Sequence, residues 1–458
     1  MPNSIIAGIK SIFRRDSFPS PGLHHYLTQT PESKNRIHLR LDPDGHGTLM
    51  INANRVVHLN PTAAFMTYLH LEKTPADEAQ RAIIKRYHVT PEQAQADFER
   101  VTNNLDVLLF PDKCPICSLP QLEIEAPFSM HPTAPYRMDL AITYRCNNNC
   151  LHCYNIQGRN CPEITTEKWK KVIDKLWDLS IPHIVFTGGE PTLRDDLPEL
   201  IAYAEAKGQI TGLNTNARRL SDSKYVQNLI AAGLDHVQIT VESHSPQIHD
   251  EMVNRQGAWE QTIAGVKNVL ASPPLYVMTN TTMLQNNYET LPETLDFLAE
   301  IGVPTIGLNA LIYSGRGKDV GSGLTEKELK PLLTIAKEKT QAADQRLIWY
   351  TPTQYCHFDP MELNLGVKGC SAALYNMCVE PDGGVIPCQS YYHQLGNILT
   401  DKWNTIWEHE LAVSIRERKY VPEVCKTCPV LAECGGGCPL ALENHEFTPT
   451  HDHLPTSM

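Results

Sequence analysis

Cys146–Tyr154 reads C-N-N-N-C-L-H-C-Y and places Cys146, Cys150 and Cys153 in a C-x3-C-x2-C array. Three thiolates so close together suit a soft metal, and the spacing fits a cube-shaped iron–sulfur cluster. A cubane that is held by three cysteines leaves its fourth iron open to another ligand. The stretch therefore predicts an iron–sulfur centre with one iron available to bind a small molecule.

A structural zinc site is the alternative for this loop, because C-x2-C pairs are also common in zinc knots. Structural zinc takes four ligands, and the loop offers three thiolates. His152 is a nominal fourth ligand, but it lies between two of the proposed ligands. We expect His152 to be a solvated loop residue, and we favour the cluster.

The chain alternates strands and helices from Tyr136 onward, and this pattern predicts the fold around the loop. Helices are predicted from Thr165 and near 195–207, 223–232, 259–270 and 289–301. Six apolar strands are predicted, namely M-D-L-A-I-T-Y, H-I-V-F-T, I-T-G-L-N-T, H-V-Q-I-T-V, L-Y-V-M-T-N-T and T-I-G-L-N-A-L-I. Repeated units of this kind predict an α/β fold, a partial (β/α)6 TIM-like barrel over residues 136–350, with chemistry at the C-terminal strand ends.

A second motif, Thr187-Gly-Gly-Glu-Pro191, follows the second predicted strand. Glycines let a backbone approach a ligand closely, and Glu190 is suited to accept hydrogen bonds from an ammonium group. Together with the cysteine loop and Tyr154, this motif resembles the radical S-adenosylmethionine (SAM) superfamily. The resemblance implies a 4Fe-4S cluster on the three loop cysteines, whose open iron takes the amino and carboxylate groups of SAM.

Two later strand ends, L-N-T-N-A at 213–217 and I-T-V-E at 239–242, resemble the segments of that superfamily that meet the ribose and carboxylate of SAM. The superfamily's usual pattern has a Gly after the Asn and a Ser at the Thr position, and this sequence departs from both. The resemblance implies these cofactor-binding residues: Tyr154, Gly188, Gly189, Glu190, Asn216 and Thr240.

The last hundred residues contain a second cysteine pattern, Cys370-x12-Gly383-x4-Cys388 followed by C-x2-C-x5-C-x3-C. The glycine in G-G-V-I-P-C predicts a hairpin that brings Cys388 back toward Cys370. The pattern resembles the SPASM extension of peptide-modifying radical SAM enzymes, whose cysteines hold one or two auxiliary 4Fe-4S clusters. The implied ligands are Cys370, Cys388, Cys425, Cys428, Cys434 and Cys438.

The full SPASM pattern has a seventh cysteine after the C-x3-C pair, and residues 439–458 contain none. The second auxiliary site is therefore one thiolate short, and Cys356 and Cys378 are spare candidates for the first. Imidazole can replace thiolate on iron. Candidate replacements are His445, His451, Asp452 and His453. A zinc ribbon built from the last four cysteines is the alternative.

The region before the barrel predicts a small winged-helix-like domain over residues 36–110. The strands I-H-L-R-L, T-L-M-I-N and R-V-V-H-L precede helices at roughly 62–71, 75–86 and 91–109. The run V-V-H-L-N-P-T-A-A-F-M-T-Y-L resembles the peptide-binding protein of pyrroloquinoline quinone biosynthesis. The resemblance implies that a precursor peptide adds its leader as an extra strand; a role in packing or dimerisation is the alternative.

The remaining boundaries are an N-terminal tail, 1–35, a linker, 111–135, and the cysteine-rich domain, 351–458. The linker is rich in proline and contains Cys114-Pro-Ile-Cys117. Such a pair needs two further ligands, and Cys161 and the C-terminal cysteines are candidates. Two roles for the pair are left open, namely ligands of a metal site and incidental thiols.

Composition excludes some partners and compartments. The 458 residues carry a formal net charge of -12 and no basic stripe, which argues against a nucleic-acid partner. No segment is apolar for long enough to span a membrane. Fourteen cysteines in short spacings, without an apolar signal segment, indicate a reducing cytoplasm.

These resemblances imply an enzyme that cleaves SAM reductively and abstracts hydrogen from a ribosomally made peptide or small protein, giving a crosslink or another oxidation. A flavodoxin or ferredoxin is the expected reductant. The alternatives are tetrapyrrole or cofactor maturation, a sulfatase-type maturase, and a non-catalytic iron–sulfur peptide chaperone. The sequence leaves open the modified residue, the bond formed and the oligomeric state.

Overall fold

The computed structural model describes residues 19–29, 34–52, 55–109, 132–155, 158 and 161–444. The chain divides into two compact units, residues 1–29 with 35–126 and residues 30–34 with 127–458. Most of the predicted linker, with Cys114 and Cys117, lies outside the described residues. So do the candidate ligands His445, His451, Asp452 and His453.

The first unit contains three helices and a four-stranded sheet, whose strands lie side by side in the order in which they occur in the chain. Its elements are β1 (Gly22–Gln29), β2 (Lys34–Leu41), β3 (Gly47–Ile51), β4 (Arg55–Leu59), α1 (Pro61–Leu71), α2 (Ala76–Tyr87) and α3 (Pro91–Leu109). The three predicted strands and three predicted helices are all present. Strand β1 is a difference, because the sequence predicted only a tail there.

Alternation along the strands explains the core of this unit. Strands β2 and β3 are antiparallel, and their register places Leu39 opposite Leu49 and Ile37 opposite Ile51. Because side chains alternate between faces, these residues share one face, where they pack with Phe65 of α1. The sheet therefore buries one apolar face against its helices.

The second unit contains a ten-stranded sheet. Its strands are β5 (Arg137–Thr143), β6 (His183–Gly188), β7 (Ile210–Thr215), β8 (His236–Thr240), β9 (Tyr276–Thr282), β10 (Thr305–Asn309), β11 (Arg346–Trp349), β12 (Asn376–Val379), β13 (Gly384–Ile386) and β14 (Gly396–Asn397). Their order across the sheet is β11-β10-β9-β8-β7-β6-β5-β12-β13-β14. Strands β5 to β11 are parallel to one another.

Helices alternate with the parallel strands, and four further short helices follow the last strand of the sheet. They are α4 (Thr166–Asp178), α5 (Leu197–Lys207), α6 (Ser223–Ala231), α7 (Pro246–Met252), α8 (Ala258–Leu270), α9 (Leu291–Glu300), α10 (Glu326–Ala342), α11 (Trp403–Trp407), α12 (Glu410–Arg416), α13 (Leu431–Cys434) and α14 (Pro439–Asn444). Among the described residues, no helix is long and apolar enough to cross a membrane.

The predicted partial barrel is confirmed, with two additions at its edges. All six predicted strands are present, and β11 extends the parallel sheet by one more strand. On the other side, β12 pairs in parallel with β5, so the cysteine-rich region contributes to the same sheet. The predicted hairpin is present as β12 and β13, with Gly383 at φ +92° in its turn.

The parallel strands have one apolar face and one polar face. Val237 and Ile239 of β8 are fully buried, and they share the core with Val266 of α8. Gln238 and Thr240 lie at the alternate positions of β8 and are half-buried. The barrel therefore has an apolar outer layer and a polar lumen.

Candidate active site and cluster-binding groups

The cysteine loop follows β5 directly, and its three thiols are neighbours. Burial raises the pKa of the Cys150 thiol well above its usual value, and the adjacent Cys153 and Cys146 add to this. Burial and neighbouring thiols both disfavour the ionised form of a thiol. A bound metal cation reverses this preference, because a thiol that coordinates a cation is deprotonated. The donor set therefore suits a soft metal centre.

Backbone hydrogen bonds hold this loop in place from two sides. Asn149 N donates to Val253 O at 3.0 Å, and Leu151 N donates to Met252 O at 2.9 Å, at the end of α7. On the other side, Arg316 N donates to Cys153 O at 2.9 Å. The thiols are therefore positioned by a loop whose backbone is hydrogen-bonded to two other segments.

Two arginines that the sequence did not predict strengthen this arrangement. The Arg316 guanidinium donates to Asn149 Oδ1 at 2.9 Å. The Arg218 guanidinium donates to Asn147 O at 2.7 Å. Both arginines lie far from the loop in sequence, so no local pattern could have identified them. They bring positive charge to a loop that carries three potential thiolates.

The two glycines of the GGEP motif let the chain approach itself closely. An added Cβ would lie 2.0 Å from Thr143 O at Gly188, and 2.3 Å from Arg145 O at Gly189. Gly189 N donates to Thr143 O at 2.7 Å. The expectation was close approach to a ligand; the structure shows close approach to the backbone that begins the cysteine loop.

Glu190 accepts hydrogen bonds from groups of its own chain. It is fully buried, and its Oε1 accepts from Thr192 N at 3.1 Å, Thr192 Oγ1 at 2.6 Å and Thr215 Oγ1 at 2.7 Å. Its Oε2 accepts from Asn216 N at 2.8 Å. Burial raises the pKa of this carboxyl, and these hydrogen bonds oppose the rise. The carboxylate thus joins the GGEP turn to the end of β7.

Asn216 links that turn to the cysteine loop, because its Nδ2 donates to Asn147 Oδ1 at 2.7 Å. Tyr154 shares a side-chain hydrogen bond with Thr187. Thr240 is half-buried at the last position of β8. The predicted cofactor-binding residues therefore lie at the C-terminal ends of β5 to β8, and their roles toward SAM stay predictions.

The expectation of a solvated His152 is wrong. Its side chain is 10% exposed, and its Nε2 lies 3.0 Å from Oε1 of Glu242, whose side chain is fully buried. Glu242 Oε2 also accepts from Thr282 N at 2.9 Å. The pair joins the cysteine loop to the ends of β8 and β9. The segment I-T-V-E identified Glu242 in the sequence, but it did not predict that Glu242 pairs with His152.

The C-terminal cysteines separate into two groups. In the first group, burial raises the pKa of Cys370, and the neighbouring Cys438 and Cys388 add to the rise. The hairpin therefore brings Cys388 near Cys370, as the sequence predicts, and Cys438, the residue before α14, joins them. Near this group, Tyr391 donates to Glu443 Oε1 at 2.8 Å.

The second group lines a cavity of about 350 Å³ and contains Cys425, Cys428, Cys434 and also Cys356. Burial, then the neighbouring Cys434, raises the pKa of Cys356 to about 11. The placement of Cys356 corrects the expectation that it is a candidate for the first site, since it lies with the second group.

The other two described cysteines do not line this cavity, although Cys388 of the first group is an electrostatic neighbour of Cys378. Cys378 is fully buried in β12, where its thiol donates to Val379 O at 3.7 Å. Cys161 is half-buried, and its electrostatic neighbours are Glu163 and Asp382. Within the described part of the chain, no three His, Cys, Asp or Glu side chains converge on a single metal ion. A cubane does not need such convergence, because each thiolate binds a different iron.

Residues 140–338 match the family model described as the radical SAM superfamily. The chain contains a radical SAM domain. Residues 370–429 match the SPASM model, described as an iron-sulfur cluster-binding domain. A radical SAM domain implies a 4Fe-4S cluster and SAM, and SPASM implies auxiliary clusters. The observed donor sets, three neighbouring thiols in the loop and two thiol groups near the C-terminus, fit these cofactors.

Relatives from archaea and bacteria match about two thirds of this chain. Fe-coproporphyrin III synthase from Methanosarcina barkeri is 29% identical over 330 residues, which make up 64% of this chain and 81% of that protein. The mycofactocin maturase MftC from Mycolicibacterium smegmatis is 27% identical over 324 residues, 67% of this chain and 78% of that protein.

A solved structure extends the similarity over nearly the whole of this chain. Streptococcus suis SuiB, bound to its precursor peptide SuiA, aligns with a TM-score of 0.66 at 16% identity. The match covers 92% of this chain and 97% of that one. The two proteins therefore share a fold, and the coverage includes most of the first unit.

Proposed function

We propose that this radical SAM enzyme modifies a ribosomally made precursor peptide by hydrogen abstraction, giving a crosslink or another oxidation. The observation that carries the proposal is the three-thiol loop, pinned at the C-terminal edge of a partial barrel in a chain that also has a SPASM domain. The maturase MftC and the peptide-bound SuiB support a peptide substrate.

The bound cluster and SAM together supply a 5'-deoxyadenosyl radical, which removes hydrogen from an unactivated carbon. Cys146, Cys150 and Cys153 would hold the cluster. Glu190 holds the GGEP turn and Asn216 in position beside the loop, so it acts as a positioning residue. Arg218 and Arg316 fix the loop backbone, which restricts where SAM can lie.

The lumen of the barrel suits a polar substrate. Parallel register places Gln238 beside Met278, and Thr240 beside Asn280, on the face opposite the apolar core. Asn309 continues this face and donates to Asn280 Oδ1 at 3.1 Å. Amide and hydroxyl side chains can bind peptide groups, and an enclosed lumen keeps water and stray hydrogen donors from a radical.

The first unit has features of a strand-addition site. In the described part of its sheet, β1 and β4 are the outer strands. Each carries a large apolar side chain in solvent, Leu27 at 45% exposure and Val56 at 44%. An outer strand offers unpaired backbone groups, and exposed apolar side chains add contact area for an extra strand. We propose that a leader peptide binds at one of these edges.

Tetrapyrrole maturation is the second candidate function, because the Fe-coproporphyrin III synthase is among the similar relatives. The first unit favours the peptide, since a tetrapyrrole offers no strand to add to a sheet. We further propose a flavodoxin or ferredoxin as the reductant and a reducing cytoplasm as the compartment.

Turnover of a peptide tests the proposal. The anaerobically reconstituted enzyme is incubated with dithionite, SAM and a short precursor encoded beside its gene, and the products are separated by mass spectrometry. We expect 5'-deoxyadenosine and a peptide with a changed mass. The same precursor without its leader is the control, and it should react much more slowly. Conversion of an iron porphyrin, with no change in any peptide, would overturn the proposal.

A further inference from the structure

The cavity of the second cysteine group is lined by four cysteines from two segments of the chain. Cys425, Cys428 and Cys434 come from the SPASM pattern, and Cys356 comes from the segment after β11. Its volume is about 350 Å³. Cys434 is buried, and the other three are half-buried.

Direct contacts hold the Cys356 segment against this group. Tyr355 N donates to Cys434 Sγ at 3.4 Å, and the Cys434 thiol lies 3.8 Å from Thr353 O, to which it donates. An added Cβ at Gly437 would lie 3.1 Å from the Gln354 side chain. The chain therefore passes so close to Cys434 that Cys356 must lie beside the cavity.

A second set of contacts fixes the same segment from α10. Glu326, the first residue of that helix, accepts from Gln354 N at 2.9 Å through Oε1. Its Oε2 lies 3.1 Å from His357 Nδ1. The positions on both sides of Cys356 are thus anchored, and the thiol between them is held in place.

Three other metal-ligating side chains on the cavity wall, His357, Asp359 and Glu362, are engaged by neighbouring groups. His357 is paired with Glu326. Asp359 Oδ1 accepts from Met361 N at 2.8 Å, and Glu362 forms an ion pair with Lys330 at 2.5 Å. Thiolate is also the preferred ligand of iron–sulfur clusters. Cys356 is therefore the best candidate on the cavity wall to join the three SPASM cysteines.

We propose that Cys356 is the fourth thiolate ligand of a 4Fe-4S cluster held by Cys425, Cys428 and Cys434. It takes the place of the cysteine that the SPASM pattern has after Cys438, although it precedes the whole pattern in sequence. The group Cys370, Cys388 and Cys438 is then the site that is one thiolate short, with Glu443 and Tyr391 beside it. This inference rests on the cluster-binding part of the proposed function and not on the peptide substrate.

The test removes the SAM cluster first, so that only auxiliary iron is measured. In a variant with Cys146, Cys150 and Cys153 replaced by Ala, we expect about eight irons per chain after reconstitution, since each cubane holds four. Iron release to a chelator should then show two phases, because the cluster on three thiolates is the more labile one. Zinc in place of iron at the four-thiol group would overturn the proposal.

Adding Cys356→Ala to this variant should abolish the slow phase. Loss of a first ligand should speed iron release at least about tenfold, since even indirect partners of metal ligands alter affinity by 10–100-fold. The matched control is Cys378→Ala, which removes a buried thiol outside the cavity. A slow phase that survives in Cys356→Ala, or disappears in Cys378→Ala, would refute the assignment.

A second variant covers the case in which Cys356→Ala fails to fold, which circular dichroism would reveal. Cys356→Ser keeps the shape and offers a harder oxygen ligand that favours ferric iron, so the cluster should assemble with a lowered reduction potential and one distinct iron site in the Mössbauer spectrum. An unchanged potential and spectrum would overturn the proposal. None of these readouts needs a peptide, so a negative result here leaves the peptide function standing, and the converse also holds.

Discussion

Replacing Glu190 tests how the GGEP motif works, because the structure gives this carboxylate four donors from its own chain. In Glu190→Gln, the amide oxygen can still face Thr192 and Thr215, which provide three of these donors. The amide nitrogen then faces Asn216 N, another donor, so that contact is lost.

The expected cost follows from the burial of these groups. A buried donor left without an acceptor costs about 1–3 kcal/mol, so Glu190→Gln should lower the free energy of unfolding by that amount. Because Asn216 is released from its position, SAM affinity should fall about tenfold, which corresponds to ~1.4 kcal/mol. Glu190→Ala removes every acceptor and should cost more in both measurements, with the iron content unchanged.

Two measurements separate positioning from direct binding. Urea unfolding of the reconstituted enzyme without SAM reports stability, and anaerobic calorimetric titration reports SAM affinity. Glu199→Gln, in an exposed carboxylate of α5, is the control and should change neither. If Glu190→Gln loses SAM affinity while its stability in the absence of SAM equals that of the wild type, the positioning role is refuted and direct acceptance from the ammonium group is favoured.

Three further predictions concern the loop and the first unit. Replacing Cys146, Cys150 and Cys153 together by Ala should remove about four irons per chain and all 5'-deoxyadenosine formation, and unchanged product yield would contradict the loop's role. His152→Ala should leave Oε1 of the buried Glu242 without its histidine partner and destabilise the enzyme by about 1–3 kcal/mol in urea unfolding, whereas an unchanged midpoint would show that the pair is unimportant. Val56→Asp places a charge on the outer strand β4, and Leu27→Asp places one on the outer strand β1. One of the two variants should weaken leader binding in a fluorescence titration, and the other then serves as its control. Wild-type affinity in both variants would exclude both edges as the binding site.

Local pattern explains what was predictable in the fold. The barrel strands read as apolar runs between amphipathic helices, and α4 shows Trp169, Val172 and Leu176 on one buried face, as predicted. Strand β1 was not predictable in this way, because G-L-H-H-Y-L-T-Q lacks a clear alternation and becomes a strand by pairing with β2. The four-residue strand β12 likewise depends on its register with β5.

The site shows the same division between local and long-range information. The spacing of the loop cysteines and the GGEP motif identified the cofactor from short segments. The partners that fix them, such as Arg218, Arg316 and Glu242, come from other strand ends and meet the loop only in the folded chain. The grouping of Cys356 with Cys434 has the same origin, since distant segments approach there and no spacing rule connects them.

Deuterium transfer from a peptide tests the central claim most directly. The enzyme is given its precursor peptide with deuterium at every carbon-bound position, together with SAM and dithionite, and the 5'-deoxyadenosine is analysed by mass spectrometry. Hydrogen abstraction from the peptide predicts 5'-deoxyadenosine that carries deuterium, formed together with the modified peptide. Modified peptide accompanied only by unlabelled 5'-deoxyadenosine would contradict the account.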